Sequence, residues 1–255
     1  MPRVAWLAVN PVRGFALRQR DALELERCGA RENRRFFLVD ADGRRYTLTR
    51  AGELTHLAAD WDESTGRLVV TFPDGGIVDG IVELGEPAAT EFAGPRVVRG
   101  RFVAGPWSDA LSAYLGRPLR LVQVDEPGGA FPEGRPVSLV SHASLEELAA
   151  GAGVEAVDAR RFRMLIGLDG CDAHEEDAWI GGRVRVGGAL LAVGGPIERC
   201  AATTRNPDTG EVDFDTLRVI KDFRGLRDGK HADFGVFAAV VEPGRVRVGD
   251  PVEPA

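Results

Sequence analysis

Cys200 is the residue best placed by its neighbours to carry chemistry. It lies in the segment PIERCAATTRNPDTGE, Pro196 to Glu211, between Arg199 and a Thr203-Thr204-Arg205 run. Positive charge and backbone N–H donors favour a thiolate over a thiol. A thiolate serves as a nucleophile, a redox group or a soft metal ligand. A buried cysteine can instead pack as a small hydrophobe, and local context leaves these two readings even. Asn206-Pro207-Asp208-Thr209-Gly210 follows as a turn sequence. Asp208 is equally suited to turn inward as a proton donor or to serve the turn alone. The other thiols, Cys28 and Cys171, have no partner at zinc spacing. Three cysteines fall short of the four that an iron–sulfur cluster usually takes, so none is expected. His174 and Asp177 lie in an acidic run that reads as a solvated loop, and His142 stands beside a helix start.

These residues need a scaffold. The chain has 255 residues, which at roughly 150 per domain implies one or two domains. Its 32 basic and 39 acidic residues leave a net charge of −7, which argues against a nucleic-acid partner. No apolar run approaches a membrane span and no signal-peptide pattern opens the sequence, so neither a membrane nor an export route is expected. Scattered thiols fit a reducing cytoplasm. Val4 to Val9 reads as a strand, and Arg35 to Asp40 with Arg44 to Thr49 as a hairpin around an Asp-Gly turn. Strands are also expected at 67–72, 77–84, 96–102, 137–140, 163–169, 182–187, 236–241 and 244–249. Helices are expected at Trp107 to Leu115, after a Ser144-x-x-Glu147 capping box, and at Phe214 to Phe223. The loop Glu126 to Pro136 is the best linker. The fold class is therefore mainly β with a few helices.

The stretch from Arg161 onward resembles a MOSC domain, named after the C-terminal domain of molybdenum cofactor sulfurase. The residues that carry the likeness are Phe162-Arg163, Gly170-Cys171-Asp172, Glu176 to Trp179, Glu198-Arg199-Cys200, Thr203-Thr204, Asn206 to Gly210, and Val248 to Val252. Upstream, Asn10 to Gly14, Arg35 to Asp40 and Ser141 to Leu145 resemble the family's N-terminal β-barrel domain and the start of its MOSC domain. The resemblance implies a β-barrel-like domain over residues 1–125 and a MOSC β-barrel domain over 126–255. The nearest architecture is that of the amidoxime-reducing molybdoenzymes.

The resemblance also implies roles. Cys200 would ligate molybdenum beside the sulfurs of a pterin cofactor, and Arg13, Arg35, Arg50 and Arg163 would hold that cofactor's phosphate. Ser141 and Ser144 match a turn near the pterin, and Thr203 and Thr204 fall just past the ligand. Three positions depart from the family pattern: Gly14 stands for Ser, Arg34 for Asp, and Leu165 for Asn. The implied activity is a two-electron reduction of small N-oxygenated compounds, hydroxylamines or amidoximes. With no cysteines to spare, electrons would come from a separate iron–sulfur or flavin protein. The alternatives are a sulfur carrier with a persulfide on Cys200, and a cofactor-binding domain without catalysis. Pyridoxal phosphate is not expected, since no sulfurase domain accompanies these residues.

Overall fold

The computed structural model describes residues 1–92 and 96–255. The described chain is mainly β, with four sheets and four α-helices. The first half holds a five-stranded antiparallel sheet. Its order is Glu83–Glu91, Val97–Ala104, Leu119–Val124, Phe36–Asp40 and Arg45–Tyr46. A smaller sheet, Ala58–Asp62, Arg67–Thr71 and Ile77–Ile81, packs nearby. Phe36, Leu38, Leu54, Leu57, Leu68 and Leu121 form their common core. Each such side chain contributes about 1.5–3 kcal/mol on burial. Helix α1, Trp107–Leu115, has the expected bounds. It inserts Trp107 and Leu111 into this core and ends at Gly116, whose φ of 66° closes the last turn.

The second half is built on an eight-stranded sheet. Its order is Val252–Pro254, Arg183–Val186, Ala189–Glu198, Asp233–Glu242, Val137–Ser141, Ile166–Asp169, Arg3–Val9 and Arg18–Arg20. Val137–Ser141 and Ile166–Asp169 run parallel. A parallel pair needs a crossover, and helix α2, His142–Ala152, lies in that connection. Val4 N–H donates to Asp250 O and Val252 N–H to Pro2 O, both at 2.9 Å. These bonds bring the two ends of the sheet together around a core of Val, Leu, Ile and Ala side chains. The Arg-Val alternation at 183–186 buries Val184 and Val186 and leaves the arginines wet, as its period of two requires.

The strand pairing crosses the expected division at 125. Arg3–Val9 belongs to the second half's sheet, and Ala22–Glu26 pairs with Gly244–Arg247. Gly52 and Gly210 tie the halves again. A Cβ on Gly52 would stand 2.0 Å from Gly210 O, so neither residue can carry a side chain without moving the other.

Two helix starts differ from expectation. Helix α2 begins at His142, with Ser141 as its N-cap accepting from Ser144 N–H at 3.1 Å. The Ser144–Glu147 capping box does not form because Ser144 Oγ is engaged elsewhere. It donates to Glu176 Oε1 at 2.9 Å, accepts from His174 N–H at 2.9 Å, and lies 2.6 Å from Ser141 Oγ. Glu176 belongs to the one-turn helix α3, Glu175–Ala178, and is fully buried with both serines. Helix α4, Thr216–Arg224, starts two residues later than the pattern at Phe214 suggested, because Asp215 caps it by accepting from Arg218 N–H. A buried carboxylate that loses a donor is costly, by about 1–3 kcal/mol. Ser144→Ala is therefore expected to lower the unfolding free energy by about that amount in urea titrations. An unchanged midpoint would show that Glu176 does not depend on Ser144.

Candidate functional site around Cys200

Four segments meet at one cleft of about 900 Å³, part of it open to solvent. The first is the loop after Arg3–Val9. Asn10 N–H donates to Asn33 Oδ1 at 3.1 Å, Arg34 N–H to Asn10 O at 2.9 Å, and Arg13 N–H to Phe36 O at 2.8 Å. This lacing fixes Arg13 and Arg34 side by side in the wall. Gly14 lines the same wall at φ 99°, a conformation that suits glycine, and a Cβ there would press on Leu54 at 3.1 Å. The second segment is the return strand of the Asp-Gly hairpin. The strand is shorter than the expected Arg44 to Thr49: it ends at Tyr46, and the chain turns at Leu48, where Arg50 N–H and Ala51 N–H donate to Thr47 O. Tyr46 and Leu48 are buried in the core, and Arg45, Thr47 and Thr49 line the cleft.

The third segment is the 3₁₀ turn Ala159–Phe162. It ends at Arg163, a non-glycine residue in the left-handed region at φ 54°. That backbone turns the Arg163 guanidinium toward Phe15 O, to which it donates. The fourth is the end of Ala189–Glu198 and the 3₁₀ turn Ala201–Thr204. Cys200 precedes this turn, and its carbonyl accepts from Thr203 N–H and Thr203 Oγ1, both at 3.0 Å. The Cys200 side chain is exposed on the cleft wall. The hydrophobic-packing reading of this thiol is therefore excluded.

Six arginines line the cleft. Arg161 pairs with Asp213 at 2.7 Å, which leaves five guanidiniums, Arg13, Arg34, Arg45, Arg163 and Arg199. None has a carboxylate partner among the described residues. Glu198, which also lines the wall, stands 2.9 Å from His231 instead. Burial pushes Arg199 down to about 9 and Arg34 and Arg163 down to about 10, with neighbouring guanidiniums adding to the effect at Arg34 and Arg163. Burial and mutual repulsion also hold Arg13 well below the ordinary guanidinium range and lower Arg45. A charged Cys200 sulfur opposes these shifts at Arg13, Arg34, Arg45 and Arg199. Arg199 is spent on the protein: Nε donates to Phe234 O at 2.7 Å and Nη1 to Phe162 O at 3.0 Å. Arg13, Arg34 and Arg45 make no side-chain hydrogen bond among the described residues. They rest on aromatic faces, Arg13 and Arg45 on Phe92 and Arg34 on Phe131. Arg45 Nε is buried without a partner among the described residues.

This arrangement fits an anion coordinated or flanked by one thiolate. Unspent guanidinium donors match the oxygens of a phosphate, and the sulfur suits a soft metal. No group of three or more His, Cys, Asp or Glu among the described residues could hold a metal alone. A metal at Cys200 would need its other ligands from a cofactor.

Of the residues singled out in the sequence, Cys200, Arg13, Arg163 and Thr203 meet in the cleft. The others lie elsewhere. Arg35 points the opposite way from its neighbour Arg34. It is buried, donates to Val124 O and stands 3.4 Å from Glu63. Arg34 ends a turn in the left-handed region at φ 55° and Arg35 leads into the strand Phe36–Asp40, so the two side chains leave the backbone in different directions. Arg50 lies in an adjoining pocket, 3.4 Å from Asp40. Ser141 and Ser144 are buried in the Glu176 network described above. Thr204 Oγ1 donates to Ala201 O within its own turn. Asp208 is exposed, and Arg160 grips both its oxygens at 2.7 Å, which holds its carboxyl below the usual range. It therefore keeps no proton to donate at neutral pH. Leu165, at the departure from the family pattern, points into the core of the eight-stranded sheet. Asp177 pairs with Arg224 on α4. Arg45 had no part in the site expectations; the signal was the polar alternation Arg45, Thr47, Thr49 against Tyr46 and Leu48 in the sequence.

A family model described as the MOSC domain matches residues 126–253, and one described as the MOSC N-terminal beta barrel domain matches residues 1–120. Mitochondrial amidoxime-reducing component 1 of Mus musculus is 37% identical over 132 residues, 48% of this chain and 37% of that protein. The Homo sapiens protein of the same name is 32% identical over 130 residues, 48% of this chain and 38% of its own. The aligned segment thus spans less than two-fifths of these relatives. Among solved structures, the YuaD protein from Bacillus subtilis superposes with a TM-score of 0.46 at 14% identity, covering 100% of this chain and 96% of that one. Matched by its family models along nearly the whole sequence, the chain belongs to the MOSC domain family.

Proposed function

We propose that this chain is a molybdenum-cofactor-dependent reductase of small N-oxygenated compounds such as hydroxylamines and amidoximes. The observation that carries the reading is an exposed thiol in a cleft where five of six guanidiniums have no carboxylate partner among the described residues. The names of the relatives, amidoxime-reducing components, support the reaction class. When bound, the cofactor supplies a two-electron redox centre. Cys200 would hold its metal through sulfur. Arg13, Arg34, Arg45 and Arg163 would hold its phosphate, with Arg199 pinned by carbonyls as a fixed charge behind the thiolate. Thr203 braces the Cys200 carbonyl, which sets the direction of the sulfur. The solvent-open mouth admits substrate and lets water supply protons, a task that Asp208 cannot perform from its place on Arg160. Electrons would come from a separate iron–sulfur or flavin protein in the cytoplasm.

Protein from a cofactor-competent host should carry molybdenum near one per chain, and Cys200→Ala should lose it. Metal analysis of both checks this. Pterin-free, metal-free protein whose Cys200 releases thiocyanate with cyanide would overturn the reductase and favour a persulfide carrier.

The two neighbouring arginines separate by role. Arg34→Gln removes a charge-assisted donor, so it should weaken pterin retention on dialysis about tenfold to a hundredfold. Arg35→Gln should retain pterin and lower the melting temperature. Equal pterin loss in both variants would contradict the opposite facing of these side chains.

A further inference from the structure

A second pocket adjoins the Cys200 cleft and shares with it the wall residues Arg45, Thr47 and Thr49. Its far side adds Arg44 and Arg50. Two carboxylate residues, Asp42 and Glu91, also line it. Asp42 stands 3.3 Å from Arg44, and Asp40 3.4 Å from Arg50. The arginine of each pair is more than half exposed (71% and 54%), so these contacts contribute little and yield readily to a competing anion. Among the described residues, Arg45 between the pockets has no carboxylate partner and its buried Nε no hydrogen-bond partner. Its guanidinium lies 4.5 Å over the Phe92 ring, which Arg96 also covers at 4.9 Å. Phe92 lines the second pocket.

Charge counting points the same way. A cofactor phosphate brings about −1.5 to −2 at neutral pH, and a Cys200 sulfur bound to the cofactor's metal would bring one more. The five guanidiniums unpaired among the described residues of the cleft exceed that sum even with Glu198 counted, and in the second pocket Arg44, Arg45 and Arg50 outnumber the lining carboxylates Asp42 and Glu91 by one. We propose that the second pocket is a subsite for a further oxyanion, a carboxylate or phosphate, belonging to the molecule that occupies the cleft. Arg45 is the shared donor, and Arg50 with Arg44 closes the outer side. The inference rests on the cleft being a small-molecule site, as proposed above. Two sources offer this chemistry: an acidic group on the substrate, or a phosphoryl-linked extension of the cofactor.

Titration calorimetry with inorganic phosphate on the full chain tests the subsite without any turnover. Two classes of bound phosphate are expected. In Arg44→Gln/Arg50→Gln the outer class should weaken about tenfold, the worth of one charge-assisted hydrogen bond, while the inner class stays. Arg163→Gln should do the reverse. A single class in the wild type, or superimposable isotherms for wild type and the double variant, would overturn the subsite. Mass analysis of the released pterin separates the sources. A nucleotide-bearing pterin, lost in the double variant, assigns the oxyanion to the cofactor. A plain phosphomonoester pterin, with a carboxylate-bearing hydroxylamine preferred over its neutral analogue only in the wild type, assigns it to the substrate. If molybdenum proves absent while both phosphate classes persist, the reductase reading fails and the oxyanion subsite stands.

Discussion

Repulsion among five guanidiniums is the constraint around which this molecule is arranged. Like charges gathered in a partly buried cleft raise the energy of the folded state, since low dielectric strengthens their interaction. The fold offsets this without neutralising it. Phe15 O, Phe162 O and Phe234 O accept from Arg163 and Arg199. Phe92 and Phe131 receive Arg13, Arg45 and Arg34 on their faces. Carbonyls and rings carry no net charge, so the field in the cleft remains positive. It is directed at the Cys200 sulfur and at the space beside it, although the whole chain carries a net charge of −7.

Holding such a cleft open requires walls that cannot drift apart, and the topology supplies them. Arg3–Val9 is hydrogen-bonded to Ile166–Asp169, so the loop bearing Arg13 is tied to the strand that follows Arg163. Gly52 against Gly210 locks the segment after the hairpin to the turn after Cys200. Arg205 adds hydrogen bonds to Thr49 O and Gly210 O at the same joint. Asp208, clamped by Arg160, ties that turn to Ala159–Phe162. The residues Asn206 to Gly210 thus act by positioning, and the chemistry is left to the thiol and the arginines. The buried Ser141–Ser144–Glu176 network plays a comparable part at the start of α2, away from the cleft.

Much of this was legible in the residues themselves. Period-two alternation marks strands such as Arg183–Val186, and an amphipathic face bounded by glycine marks α1, because local sterics and burial decide these elements. The thiol at Cys200, its basic setting and the turn after it follow from adjacency in the chain. So does the MOSC likeness, since motif order survives where the fold is kept. Which arginine of a consecutive pair enters a cleft is not a local property. Arg34 and Arg35 have the same chemistry, and only the pairing of Phe36–Asp40 with Leu119–Val124 turns Arg35 toward Val124 O and Glu63. Arg45 and Arg199 become site residues through contacts with segments distant in sequence. Asp208 and Ser144 stand outside the site because Arg160 and Glu176, distant in sequence, hold them elsewhere. The sequence by itself determined the element types, the reactive thiol and the surplus of charge near it. The tertiary structure decided which charges face that thiol, because facing depends on long-range strand pairing and on partners that no local pattern encodes.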